Sequence, residues 1–149
     1  MKRKITLIFV AIFFLSLFDS CKYEDGPFIS FYTKKSRIEG YWEFHKVTVN
    51  GEDISEEYKT QVIQFMKSEK CIWFLDIETS SIYDMDPEYT DVGYWDLQND
   101  KEELFIDIVT VGRDPFSLTW EILQLKFHEM KLERYENENR IVWELKKII

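Results

Sequence analysis

The chain has 149 residues, with 19 Lys and Arg against 28 Asp and Glu and a net charge of −9. So acidic a balance excludes nucleic acid as a partner, which needs a basic stripe, and excludes purely electrostatic adhesion to anionic headgroups. With 45% hydrophobic and 17% aromatic residues the chain is no disordered polyelectrolyte, and its two cysteines and five glycines supply neither a disulfide framework nor a phosphate-cradling loop.

The first element in chain order is a short apolar run. Lys2, Arg3 and Lys4 precede Ile5 to Phe18, which only Ser16 interrupts, and Leu17-Phe18-Asp19-Ser20-Cys21 closes it. The run is too short and wrongly flanked for a stable span and reads as a secretory signal. A cysteine directly after the small residue Ser20 resembles the lipobox of bacterial lipoproteins. Phe18 and Asp19 stand where that family prefers Leu and a small uncharged residue, a looser form similar to Bacteroidetes-type lipoproteins. The resemblance implies cleavage before Cys21, a diacylglycerol thioether on Cys21, and acylation of the new amino group. Residues 1–20 are then the signal and 21–35 the lipidated cysteine with its tether. The membrane becomes a partner through the lipid anchor. Glu24-Asp25 is similar to the charged signals that send some such lipoproteins outward, so the expected address is the outer membrane, on its periplasmic face or at the cell surface.

The remainder alternates as strands do. Gly40 to Val49 puts Trp42 and Phe44 on one face and Glu43 and His45 on the other, and Asn50-Gly51 ends it with a turn dipeptide. Lys70 to Glu78, Val92 to Leu97, Leu104 to Val111, Leu118 to Leu125, Met130 to Tyr135 and Arg140 to Ile148 follow, each bounded by turn residues. In the last, Ile141, Trp143 and Leu145 face inward. One segment differs. Ile54, Tyr58, Val62, Phe65 and Met66 recur at helical spacing, with Glu56, Glu57, Lys59 and Lys67 opposite. This predicts an amphipathic α-helix of about four turns between the first two strands, started by Asp53 or Ser55 and covering one end of a barrel. The fold class is therefore all-β, a small antiparallel up-and-down barrel of seven or eight strands with one helix.

Gly40-Tyr41-Trp42 matches the Gly-x-Trp signature of lipocalins. The resemblance implies a lipocalin-like domain over 36–149, in which Gly40 lets the chain turn into the barrel and Trp42 plugs the closed end under a short helical turn supplied by Lys34 to Ile38. It also implies an arginine stacked on that indole, with Arg134 and Arg140 as candidates. A helix after the first strand departs from the standard lipocalin, so pocket residues do not carry over by position.

Five tryptophans, Trp42, Trp73, Trp95, Trp120 and Trp143, fall on five different strands. In a closed sheet of about eight strands the interior either fills with side chains or holds one small ligand. The rings expected to line a pocket are Trp73, Trp95, Phe105, Trp120 and Trp143. The competing expectation is a filled core in a protein-protein interaction module that uses its acidic exterior or the loop Asp84 to Asp91. That loop suits calcium by its oxygens but lacks the EF-hand pattern, and it reads as solvated. His45 and His128, the only histidines, lie far apart without zinc-site spacing. No nucleophile elbow occurs, and strand carboxylates such as Asp76, Glu78 and Asp107 read as solvent-facing. The expectation is a non-enzyme without metal or cofactor. Cys71, in Cys71-Ile72-Trp73-Phe74-Leu75, reads as a small core residue.

Overall fold

The computed structural model describes residues 32–76 and 89–148; the signal-like run, Cys21 and positions 84–88 of the acidic loop lie outside the described residues. A five-residue helix, α1 (Lys34–Ile38), leads into β1 (Gly40–Val49). After it come β2 (Glu52–Asp53), β3 (Val62–Phe65), β4 (Lys70–Phe74), β5 (Thr90–Gln98), β6 (Glu103–Ile108), β7 (Phe116–Leu125), β8 (Glu129–Glu136) and β9 (Asn139–Ile148). All pairings are antiparallel, and β9 returns to β1 from Tyr41↔Ile148 to Val49↔Ile141. The result is a closed ring of eight strands, with the two-residue β2 as an extension beside β1. Closure satisfies both edges of every long strand without a partner chain.

The turns are built by residues that tolerate the left-handed region. Asn50 and Gly51 (φ 53° and 87°) join β1 to β2, and Asn137 and Glu138 (φ 48° and 70°) join β8 to β9. Two-residue turns with positive φ match the twist of the strands they connect. Along the strands, alternate residues face in. Trp42, Phe44, Ile63, Phe65, Cys71, Trp73, Trp95, Leu104, Ile106, Trp120, Ile122, Leu132, Trp143 and Leu145 form one buried cluster.

The helix expected over 54–67 is reduced to a single 3₁₀ turn, Ser55–Tyr58, and its last turns are the strand β3. A helical element does lie between the first two long strands, but it interrupts a strand rather than replacing one. β2 and β3 both run beside β1, and Ile54 N–H to Val47 O (2.9 Å) and Val47 N–H to Ser55 Oγ (3.0 Å) keep the interrupted stretch attached. The difference has a physical cause. A step of four residues satisfies a helical period and a strand period alike, so Tyr58, Val62 and Met66 fit both. Ile63, which breaks the helical stripe, is fully buried in the barrel, while Val62 packs outside it with Ile72 and Phe74. Tertiary pairing on both sides decides the outcome.

Candidate functional site

The two ends of the barrel are built differently. At one end the entering chain forms a plug. Thr33 caps α1, and Ile38, the last helical residue, is fully buried. Gly40 holds φ 130°, a conformation side chains other than glycine rarely adopt, and so turns the chain from α1 into β1. Trp42 is completely buried and donates its indole N–H to Ile38 O at 2.6 Å. The cation over its ring is neither Arg134 nor Arg140. Lys147 Nζ lies 4.8 Å from the ring centre and donates to Arg37 O (2.6 Å) and Glu39 O (2.7 Å). Burial pulls the Lys147 ammonium below its ordinary value, opposed by Glu39. Arg140 instead pairs with Glu133 on the outer wall (Nε to Oε2 2.6 Å), and Arg134 points in near the other end. Arg37 ties α1 to the end of β7 through Leu125 O at 2.6 Å.

At the other end, beside the 3₁₀ turn, aromatic rings gather inside. Phe44 lies 4.9 Å from Trp143 and 5.9 Å from Trp73; Trp73 lies 5.4 Å from Trp143; Trp143 and Trp120 are 3.9 Å apart. Tyr58, from the 3₁₀ turn, covers Phe44 at 5.2 Å. A polar rim sits on this aromatic floor. Arg134 lies with its guanidinium 5.1 Å from the centre of the Trp120 ring, and its Nη2 reaches Glu136 Oε2 at 2.6 Å. Burial raises the Tyr58 hydroxyl above its ordinary value, with Glu57 and Glu136 adding and Arg134 opposing.

The indole donors separate into two groups. Trp42 finds Ile38 O, Trp95 finds Met66 O at 2.9 Å, and Trp73 finds Gln61 Oε1 at 3.0 Å. Trp120 Nε1 and Trp143 Nε1, on the two rings in closest contact, are buried with no acceptor among the described residues, and so is Arg134 Nε beside them. A buried N–H without an acceptor forfeits about 1–3 kcal/mol, so three in one cluster mark the spot where the barrel interior has donor capacity to spare.

No protein-family model and no curated protein matches the chain. Among solved structures, a lipocalin-like protein from Bacteroides uniformis superposes with a TM-score of 0.50 at 13% identity, covering 75% of this chain and 99% of that one. An uncharacterised protein from Bacteroides eggerthii does so with a TM-score of 0.50 at 15% identity, covering 74% and 99%. The fold is lipocalin-like. At such identities the likeness speaks for the barrel alone, and residue roles rest on this chain's own geometry.

Within the lipocalin-like barrel, Gly40 and Trp42 lie at the end where α1 meets β1. Of the five rings expected in a pocket, Trp73, Trp120 and Trp143 come together. Trp95 does not join them; it sits at the plugged end against Phe65 (5.5 Å) with Lys35 above it. Phe105 is on the outer wall, half-buried between its partners Asp96 and Thr119, because Leu104, Ile106 and Ile108 take the inward positions of β6. Phe44, Tyr58, Gln61, Arg134 and Glu136 were not on the expected site. Arg134 had a legible signal: it continues the inward series Met130, Leu132 at period two, a cation where the barrel demands an apolar residue.

The remaining candidates fall elsewhere. Asp91, the inner end of the acidic loop, is buried and accepts from Thr110 Oγ1 and Arg113 Nη1, both at 2.8 Å, so it anchors the β6–β7 connection. Among the described residues no group of three His, Cys, Asp or Glu side chains could hold a metal ion. His45 is exposed and borders an outer groove of about 460 Å³ with Lys126, Lys131 and Glu144. Cys71 is buried in the core, and burial, helped by Asp107, pushes its thiol up to about 12. It should therefore resist iodoacetamide at pH 8 in the folded protein and react fully in denaturant, as measured by mass shift; rapid native labelling would place it outside the core.

Proposed function

We propose that this chain is a lipid-anchored envelope lipoprotein whose lipocalin-like barrel binds a small hydrophobic or amphipathic ligand, without catalysis. The observation that carries the binding half is the asymmetry of the barrel ends. One is plugged by α1, Trp42 and Lys147, whereas the other gathers Phe44, Tyr58, Trp73, Trp120 and Trp143 beneath a polar rim. Apolar walls with a few convergent polar groups are the usual composition of a small-molecule site. The anchor half is supported by the sequence at Ser20-Cys21.

Each half has its own test. Titrating the purified chain with lipids and apolar metabolites should change the tryptophan emission saturably, and Trp73→Ala should weaken that response. Labelling cells with a fatty-acid probe should mark the wild type and spare Cys21→Ser. Silence across the panel would favour the second reading, an interaction module with a solid interior. That reading draws on the ring contacts themselves and on the outer apolar face, where Met66, Ile72, Val92, Tyr94 and Val109 line a groove of about 370 Å³.

A further inference from the structure

We infer that the polar part of the barrel's ligand is an uncharged oxygen acceptor of the carbonyl type, an ester or amide, and not a free carboxylate. This rests on the ligand-binding reading above and specifies its chemistry. Three observations converge. First, among the described residues the buried side-chain atoms of this ring cluster that lack a partner are all donors: Trp120 Nε1, Trp143 Nε1 and Arg134 Nε. Donors need acceptors, so a ligand of hydrocarbon alone leaves them unsatisfied, whereas the carbonyl oxygen of an ester or amide accepts from them without bringing a further donor or a charge. Second, the three belong to one stack, since Arg134 covers Trp120 and Trp120 touches Trp143 at 3.9 Å. The three donors therefore belong to one contiguous group of side chains. Third, Arg134, the one cation in the stack among the described residues, is already neutralised. Arg134 Nη2 holds Glu136 Oε2 at 2.6 Å, so guanidinium and carboxylate together carry no net charge. A ligand carboxylate placed here would bring a second anion beside Glu136, inside walls of indole and phenyl rings that solvate charge poorly. An ester or amide carbonyl accepts the same hydrogen bonds without that repulsion.

The rim thus acts as a charge filter, with Glu136 as the residue that sets its sign. Glu136 is half-exposed at the end of β8, so its removal should not disturb the core. Glu136→Gln keeps the shape and leaves Arg134 as an uncompensated cation.

The test uses the purified full chain and three probes of equal chain length, decanoate, methyl decanoate and decane, titrated at pH 7.5 with tryptophan emission as the readout. Methyl decanoate should bind about tenfold or more tighter than decanoate, and tighter than decane. Lowering the pH toward 4, where the acid becomes neutral, should close most of the gap between acid and ester. Glu136→Gln should reverse the order and favour decanoate. Trp143→Phe and Trp120→Phe, which keep a ring and delete the N–H, should each weaken the ester while sparing decane. Decanoate binding as tightly as its ester in the wild type overturns the inference while leaving ligand binding intact. An unchanged ester-to-acid ratio in Glu136→Gln also overturns it. Failure of all three probes overturns both this inference and the ligand-binding reading.

Discussion

Replacing Trp42 with Ala should lower the stability of the domain by about 3–5 kcal/mol, the usual cost of deleting a large buried ring. Several losses coincide at this position. The ring is completely buried, its N–H satisfies Ile38 O at the end of α1, and its face receives Lys147. Lys147 in turn bonds Arg37 O and Glu39 O, so the plug and the helix share one set of contacts. Against a typical total of 5–15 kcal/mol, such a loss is a large fraction, and the thermal midpoint should fall by roughly 10–20 °C. Trp42→Phe separates the parts. It retains most of the buried surface and leaves only the Ile38 carbonyl unserved, so about 1–2 kcal/mol should be lost. Equal midpoints for the two variants in a calorimetric scan would mean that the ring does not plug the end. Lys147→Ala should show the helix contribution by loosening α1, visible as faster amide exchange at Arg37 and Glu39 while the β6–β7 amides stay protected.

The plug and the aromatic end differed in how far the sequence revealed them. Gly40 and Trp42 are neighbours in the chain, and the turn that needs the glycine is local, so three residues suffice to locate them. Their cation is not local: Lys147 arrives from the last strand because β9 pairs with β1, with Trp42 opposite Lys147. It was nonetheless written in the chain as the continuation of Ile141, Trp143 and Leu145 at period two, just as Arg134 continues Met130 and Leu132. An inward series that ends in a cation is a site signal in a barrel, since that charge must find an aromatic face or a carbonyl. Phe105 fails for the opposite reason. Leu104-Phe105-Ile106 is apolar throughout, so alternation gives no face, and only the pairing of Phe105 with Asp96 and Thr119 shows that it looks outward. Trp95 lay on a correctly read face but at the wrong height. Height within a barrel follows from strand stagger, which no single strand records.

Stagger also explains why Gly93 is expected to tolerate no side chain at all. A Cβ built on Gly93 would lie 2.0 Å from Asp107 O and 2.9 Å from the carbon of the same carbonyl. These are backbone atoms of the neighbouring strand, fixed by the ladder that pairs Gly93 with Ile108 and Tyr94 with Asp107. A flexible side chain could swing aside, whereas this carbonyl can move only if β5 and β6 separate. Gly93→Ala should therefore cost about 3 kcal/mol or more, at or beyond the upper end of ordinary overpacking, although it adds a single methyl. Gly112→Ala is the matched control. Its φ of 86° penalises a side chain, but nothing lies within 4 Å, so about 1 kcal/mol is expected from backbone conformation alone. Urea unfolding of the two variants compares them directly. Should Gly93→Ala prove as mild as Gly112→Ala, β5 and β6 would have to pack less closely at this point than the barrel described here requires. The close approach has a function in the architecture: Cys71 lies opposite Gly93 on the other neighbouring strand, so the sheet tightens where a small core residue faces it. That tight stretch of wall spans the plugged and aromatic halves, and loosening it should disturb the positions of Trp95 and Trp73 together.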